Sequence, residues 1–260
     1  METIMSVTEL ASTGNMPRRR VIGAYLEEAR SECLRYMRAP GFILPMTLFS
    51  TVFYLMFGVL INHGEASRYL LASYSAFGII GPGLFGFGVS LAIERDGGLL
   101  TLKRALPMPP GAYLLGKMVM AMIAATIVIV LLLLIGVFLA HVVLSWGEML
   151  ALLLTGMFGV LPFCALGMFV GTLIKGQGAP GLLNLVYLPM AFLSGLWLPL
   201  AMLPGALQRI APIWPSYHLN QLTQAAVGLN KEPLLGHVLV LVAFAVGFLL
   251  LAARRLRRHG

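Results

Sequence analysis

"MVMAMIAATIVIVLLLLIGVFLA", Met118 to Ala140, runs for 23 residues without one charged side chain. Coiled as an α-helix it is roughly 35 Å long, enough to cross the ~30 Å hydrocarbon core of a bilayer. A strand of a membrane barrel would alternate apolar and polar side chains, and this stretch does not. It therefore predicts a transmembrane helix. The same pattern recurs on both sides, in charge-free runs over 41–61, 69–93, 149–174, 179–199 and 234–253. Composition agrees. The chain is 59% hydrophobic and 11% charged, whereas a soluble domain is about 45–50% apolar and about 25% charged. The expected fold is an all-α integral membrane protein, a single domain over 1–260 with six transmembrane helices.

Lys and Arg orient the bundle. The segment before the first span, the loop 94–117, Lys175 and the tail after the last span hold 15 of the 18 basic residues. Arg68, Arg209 and Lys231 are the other three. The rich side is cytoplasmic by the positive-inside rule, which places both termini on the cytoplasmic side of the membrane. Topology thus accounts for the net charge of +8, and no nucleic-acid partner is expected. The tail "RRLRRHG" reads as an anchor at the lipid surface. No apolar core precedes the first span, so no cleavable signal peptide is expected. Cys33 and Cys164 fall in different environments and are not expected to pair.

Residues 18–38 predict an amphipathic helix. Ile22, Tyr25, Leu26, Ala29, Cys33, Tyr36 and Met37 share one stripe, and Glu27, Glu28, Ser31, Arg35 and Arg38 point elsewhere. Such a helix can lie along the membrane surface or dock a cytoplasmic partner.

No Asp, Glu, Lys or Arg stands in the middle of any span. Ion-coupled carriers usually keep ionisable groups there, so the energy for any uphill movement is expected from elsewhere. Asn184 reads as a helix–helix tie and His237 as a group facing headgroups or water. Gly167 and Gly171 form a G-x-x-x-G pair that permits close helix approach. Pro82, Pro162 and Pro189 should kink their helices.

Several nucleotide motifs are mimicked by chance. Gly81–Gly86 and Gly176–Gly181 match G-x-G-x-x-G, but the first lies inside a span and the second in a short loop without the strand the motif needs. "LSGLW", Leu193 to Trp197, has part of an ABC ATPase signature on the wrong side of the membrane. "PGAYLLGKM", Pro110 to Met118, spaces Gly111, Gly116 and Lys117 like a phosphate loop. The prolines before it oppose a strand, and Met118 offers no hydroxyl for magnesium. Lys117 reads instead as a snorkelling anchor at the foot of the third span.

The whole segment around that loop resembles something else. "IERDGGLLTLKRALPMPPGAYLLGK", Ile93 to Lys117, is similar to the loop after the second span of ABC-2 type transporter permeases, the membrane subunits of bacterial ABC exporters. Glu94, Arg95, Asp96, Gly98, Leu100, Pro107, Gly116 and Lys117 carry the match, and Gly97 and Leu99 depart from it. "FLSGLWLPLAMLPGALQRIAPIWPSYHLNQL", Phe192 to Leu222, resembles the family's fifth-span end and outer segment through Phe192, Leu193, Ser194, Gly195, Pro199, Leu203, Pro204, Pro215 and Tyr217.

The resemblance implies an exporter half that forms a homodimer or pairs with a second permease. A separate ABC ATPase subunit would drive it and bind the ATP and magnesium, leaving no cofactor or metal in this chain. In the family, the loop after the second span couples to the ATPase. Carried over, Glu94, Arg95, Asp96, Lys103 and Arg104 would make that contact. The outer segment 200–233 would dip back into the outer leaflet as two short helices and cap the exit, with Trp197, Trp214 and Tyr217 in the interfacial belt.

Apolar spans suit a drug-, lipid- or other amphiphile-like substrate, as in multidrug efflux, and polysaccharide export uses similar permeases. Two other classes compete. An intramembrane enzyme would use Ser194 as nucleophile and His218 as base, without any acid or oxyanion motif. A secondary carrier would need the ionisable groups that the spans lack.

Overall fold

The computed structural model describes residues 18–99, 102, 109 and 111–259. Among them all regular structure is helical. Helix α1 spans Arg18–Met37, and α2 spans Pro40–Phe53 before widening into a π-helical stretch over Tyr54–Ile61. Helix α3 covers Glu65–Asp96, α4 Ala112–Phe138, α5 Trp146–Gly159, α6 Leu161–Gly171 and α7 Ala179–Leu193. Helix α8 covers Gly205–Ile210, α9 Pro215–Ala226 and α10 Leu235–His259.

The axis of the molecule is α3. Every residue from Leu70 to Val89 is buried, because α2, α4, α6, α7 and α9 all pack around this helix. Its small residues let them close in. A side chain on Gly167 of α6 would place its Cβ 2.5 Å from the Leu84 carbonyl oxygen, and one on Gly171 would lie 2.6 Å from that of Gly88. The G-x-x-x-G pair therefore puts α6 backbone against α3 backbone, with no room for a methyl group.

The peripheral helices turn apolar stripes outward. On α4, Ile123, Ile127, Val130 and Leu134 are exposed, and on α10 so are Leu235, Leu239, Val242, Val246 and Leu250. Bands of this extent suit lipid rather than water. Among the described residues, four helical stretches are long and apolar enough to cross a membrane: Glu65–Asp96, Ala112–Phe138, Trp146–Gly171 and Leu235–Arg255. Among the described residues the apolar part of the first predicted span is shorter, Thr47–Ile61. The fifth ends at Leu193, not 199, in a turn through Ser194 and Gly195.

Of the three span prolines, one marks a helix start and two lie inside helices, Pro82 in α3 and Pro189 in α7. Pro162 stands in the first turn of α6, where its missing N–H costs nothing, and α5 stops just before it. Pro82 lies inside α3, which continues through it. Helix α5 begins with a capping box. Ser145 accepts from the Glu148 N–H while the Glu148 carboxylate accepts from the Ser145 N–H. Glu148 also pairs with Arg68, fastening α5 to the start of α3.

Two ends follow. The basic end gathers α1, the C-terminal ends of α3, α6 and α10, and the start of α4; Arg95 and Arg255 both donate to the Thr172 carbonyl there. The far end holds the Arg68–Glu148 pair and the segment from Ser194 to Leu234.

Candidate functional site

At the basic end, "ERD", Glu94 to Asp96, closes α3. These three consecutive carboxylate and guanidinium groups reach three different neighbours. Glu94 turns inward and is buried. Its carboxylate accepts from Lys117 Nζ at 3.0 Å and from the Tyr113 hydroxyl at 2.5 Å, both on α4, and pairs with Arg35 of α1. Arg95 donates to the carbonyls of Thr172 at 2.6 Å and Ile174 at 2.8 Å, the terminal turn of α6. A cation is favoured there by both the unpaired carbonyls and the helix dipole. Asp96 accepts the Gly176 N–H at 2.7 Å and so holds the turn leading into α7. The helix then stops at Gly98, whose φ of 71° is the left-handed geometry that ends helices.

Lys117 is the centre of this arrangement. Its side chain is 1% exposed. The ammonium has three protons and three acceptors: Glu32 at 3.0 Å, Glu94 at 3.0 Å and the Ser90 hydroxyl at 2.9 Å. The ion also lies 5.0 Å from the Tyr113 ring centroid, within cation–π range. The expectation of a snorkelling anchor is therefore wrong. The stem does not run out to water, because α1 covers the site and brings two carboxylates to it. A buried ion pair of this kind is tolerable only when its remaining groups are satisfied, and here Arg35 bridges Glu32 at 3.5 Å as well as Glu94. A hollow of about 210 Å³ between α1, α3 and α4 adjoins the cluster, lined in part by Glu32, Arg35, Ser90 and Lys117. Arg35, 45% exposed, forms the solvent edge.

The glycine beside Lys117 has its own part. A Cβ on Gly116 would meet Glu28 Cγ at 3.1 Å and the Ala29 nitrogen at 3.3 Å, so α1 rests directly on this glycine. In "PGAYLLGKM", Gly116 seats α1 and Lys117 pins it.

Helix α1 divides its apolar stripe between the bundle and the outside. The stripe residues Ile22, Leu26 and Met37 are exposed, at 59–65%, and the fully buried side chain is Glu32. The face toward the bundle combines ion pairing to α3 and α4 with the half-buried stripe residues Tyr25, Ala29, Cys33 and Tyr36, and the rest of the stripe is left for the surroundings. Cys33 and Cys164 are both free thiols.

Of the other coupling candidates, Lys103, Arg104 and Pro107 lie outside the described residues. Glu94, Arg95 and Asp96 are all engaged within the chain.

At the far end, Ser194 Oγ lies 2.5 Å from Ser216 Oγ, and Ser216 also donates to the Met190 carbonyl. His218 contacts His237 and the Pro212 carbonyl. Ser194 and His218 thus bond to different partners and form no nucleophile–base pair. Pro204 and Pro215 open α8 and α9, and Pro199 precedes a 3₁₀ turn over Leu200–Met202. The Gly195 carbonyl accepts from Asn220 at 3.4 Å. Tyr217 packs edge-on to His218, with ring centroids 5.3 Å apart. Trp197 differs from its belt reading. It packs among Phe49, Phe53, Phe77 and Phe192, with its indole nitrogen buried.

Sequence reasoning missed Glu32, Tyr113 and Ser90 at the basic end, and Asn220 and Gln224 at the far end. Gln224 donates to Ser73 Oγ at 2.9 Å, and Ser73 donates to Asn220 at 3.2 Å. A signal existed. Ser216, Asn220 and Gln224 recur every four residues, one polar stripe of α9 that faces α3 and α7.

The comparisons with known proteins agree with this architecture. The model of the family "ABC-2 type transporter" matches residues 28–227. The stretch takes in the second half of α1, the charged end of α3, the loop after it and all of α9. A Bacillus subtilis (strain 168) protein, "Putative transport permease YvfS", is 27% identical over 231 residues, covering 87% of this chain and 94% of that protein. With several apolar helices of membrane-crossing length around a buried central one, the chain is a multi-pass membrane protein and belongs to the ABC-2 type transporter family.

Proposed function

We propose that this chain is the membrane-spanning half of an ATP-driven exporter, moving an amphiphile through a pathway completed by a second copy or a second permease. A separate ABC ATPase hydrolyses the ATP. On this reading the chain crosses a bacterial inner membrane six times, with α2 and α7 as the first and fifth spans. The basic end is cytoplasmic, and α1 lies along the inner surface as an interfacial helix. The outer segment caps the exit.

One observation carries the proposal. The end of α3 that enters loop 97–111 is fastened to α1, α4 and α6 by Glu94 and Arg95 and to the α6–α7 turn by Asp96. A push on that loop reaches all of them together, as rigid-body transmission requires. Because Glu94, Arg95 and Asp96 are engaged inside the chain, the contact with the ATPase falls on the loop beyond them, where Lys103 and Arg104 stand. The Lys103→Glu/Arg104→Glu double variant is expected to insert normally and to lose roughly tenfold or more of its co-purification with an ATPase from an adjacent reading frame, as reversal of interfacial charge weakens docking. Undiminished co-purification would remove the loop from the interface.

A further inference from the structure

The geometry points to a proton-operated clasp between His218 of α9 and His237 in the first turn of α10, closed at neutral pH and released when both imidazoles are protonated. The proton count carries the argument. His218 Nε2 lies 2.9 Å from the Pro212 carbonyl oxygen, which can only accept, so that nitrogen carries a proton. His218 Nδ1 and His237 Nδ1 are 2.8 Å apart, a hydrogen bond that needs one proton between two nitrogens. Three protons on the two rings are compatible with both contacts. A fourth puts N–H against N–H across the same gap and brings two cations together, and the contact must break.

Among the described residues no ion pair joins either ring to a carboxylate. On α9 itself Tyr217 faces both rings, with centroids 5.3 Å and 6.0 Å away. The 3₁₀ turn before α9 contributes the Pro212 carbonyl. At this end α3 and α5 carry exposed Glu65 and the Arg68–Glu148 pair beside Gly228, the pair on the order of 15 Å along α9 from His218, and α8 carries exposed Arg209. Lys231 and Glu232, in the connection to α10, are exposed. Burial holds the His218 pKa below its ordinary value of 6.5; the Pro212 bond pulls it up, and the charge of His237 lowers it again. The sign follows. The released state binds the proton more readily, so the clasp is at full strength above about pH 6.5 and weakens as pH falls through the lowered value.

Helix α9 also carries the Ser216–Asn220–Gln224 stripe, so the clasp sets how firmly the outer segment is held between α10 and the core. The structural step stands independently of the export reading. Its consequence for turnover, an outer segment that opens more readily in acid, rests on that reading.

The test is amide hydrogen exchange on the full chain in detergent micelles at pH 7.5 and pH 5.5, corrected for intrinsic chemistry. In the wild type, protection of 215–226 should fall at least tenfold at the lower pH while α4 stays protected. His237→Asn keeps a donor or acceptor near the Nδ1 position without titrating, and should remove the pH dependence. His237→Ala should be poorly protected at both values. Wild-type protection indifferent to pH, an Asn variant that loses protection as the wild type does, or an Ala variant fully protected at pH 7.5 would each overturn the clasp.

Discussion

Lys117→Met is expected to destabilise the folded chain by about 3–5 kcal/mol, the usual result of removing one partner from a buried ion pair. Methionine fits the space but leaves Glu32 and Glu94 facing each other, 2% and 7% exposed. Arg35 lies near both, but it is half in solvent and cannot supply the lost charge at the centre. The loss should concentrate on α1, whose attachment depends on this cluster. Trypsin should therefore cut at Arg30 or Arg35 in the variant under conditions where the wild type resists. Adding Glu32→Gln removes one of the two facing carboxylates and should recover much of the thermal stability, because a buried charge is costly only while it is uncompensated. A Lys117→Met chain as stable and as protease-resistant as the wild type would show that the cluster does not hold α1.

The second large effect is expected at the contact of α6 with α3. Gly167→Leu should give no monodisperse folded protein, and Gly167→Ala should melt well below the wild type. A Cβ there falls 2.5 Å from the Leu84 carbonyl oxygen and 3.0 Å from that of Gly83, and backbone cannot swing aside as a side chain can. Overpacking a core by a single group typically costs about 1–3 kcal/mol, and a leucine adds three further carbons. Gly181→Ala is the control. Nothing lies within 4 Å of a Cβ at that position, so its stability should match the wild type. Thermal melting followed by size-exclusion chromatography in detergent reads all three. A Gly167→Leu chain that folds normally would mean that α6 stands off from α3.

Both effects differ in how visible they are in the sequence. The G-x-x-x-G pair announces close packing by its spacing alone, and Pro162 announces a bend in the fourth span, which the structure makes as the end of α5 and the start of α6, because both are local rules of helix geometry. The long charge-free runs give the helices of α3, α4, α5–α6 and α10 for the same reason. Lys117 and Glu32 are 85 positions apart, and no local rule links them. Hydropathy sorts α1 by its apolar stripe and sends the stripe to the membrane surface or a partner, but it does not announce that a carboxylate, Glu32, makes the central contact with the bundle. The gap has a physical source. In a membrane protein the outside is apolar too, so hydrophobicity does not say which face of a helix meets its neighbours. Glu94, Arg95 and Asp96 were legible as a group, through their resemblance to the family's loop. Their division of labour among α1, α4, α6 and the turn into α7 was not, since it depends on side-chain direction at the end of α3.

The lookalike nucleotide loop shows the same contrast. Spacing alone matches Gly111, Gly116 and Lys117 to a phosphate site. The structure spends Gly116 on seating α1 and the Lys117 ammonium on two carboxylates and a hydroxyl. No proton of that ammonium is left for a phosphate. ATP chemistry is assigned to another chain on this account, and that assignment is its centre.

The most direct test is ATP hydrolysis by the purified chain, alone and reconstituted with the ATPase from an adjacent reading frame. The chain alone should show no turnover, and the complex should hydrolyse ATP at a rate stimulated by the transported amphiphile. Hydrolysis by the isolated chain would contradict the account.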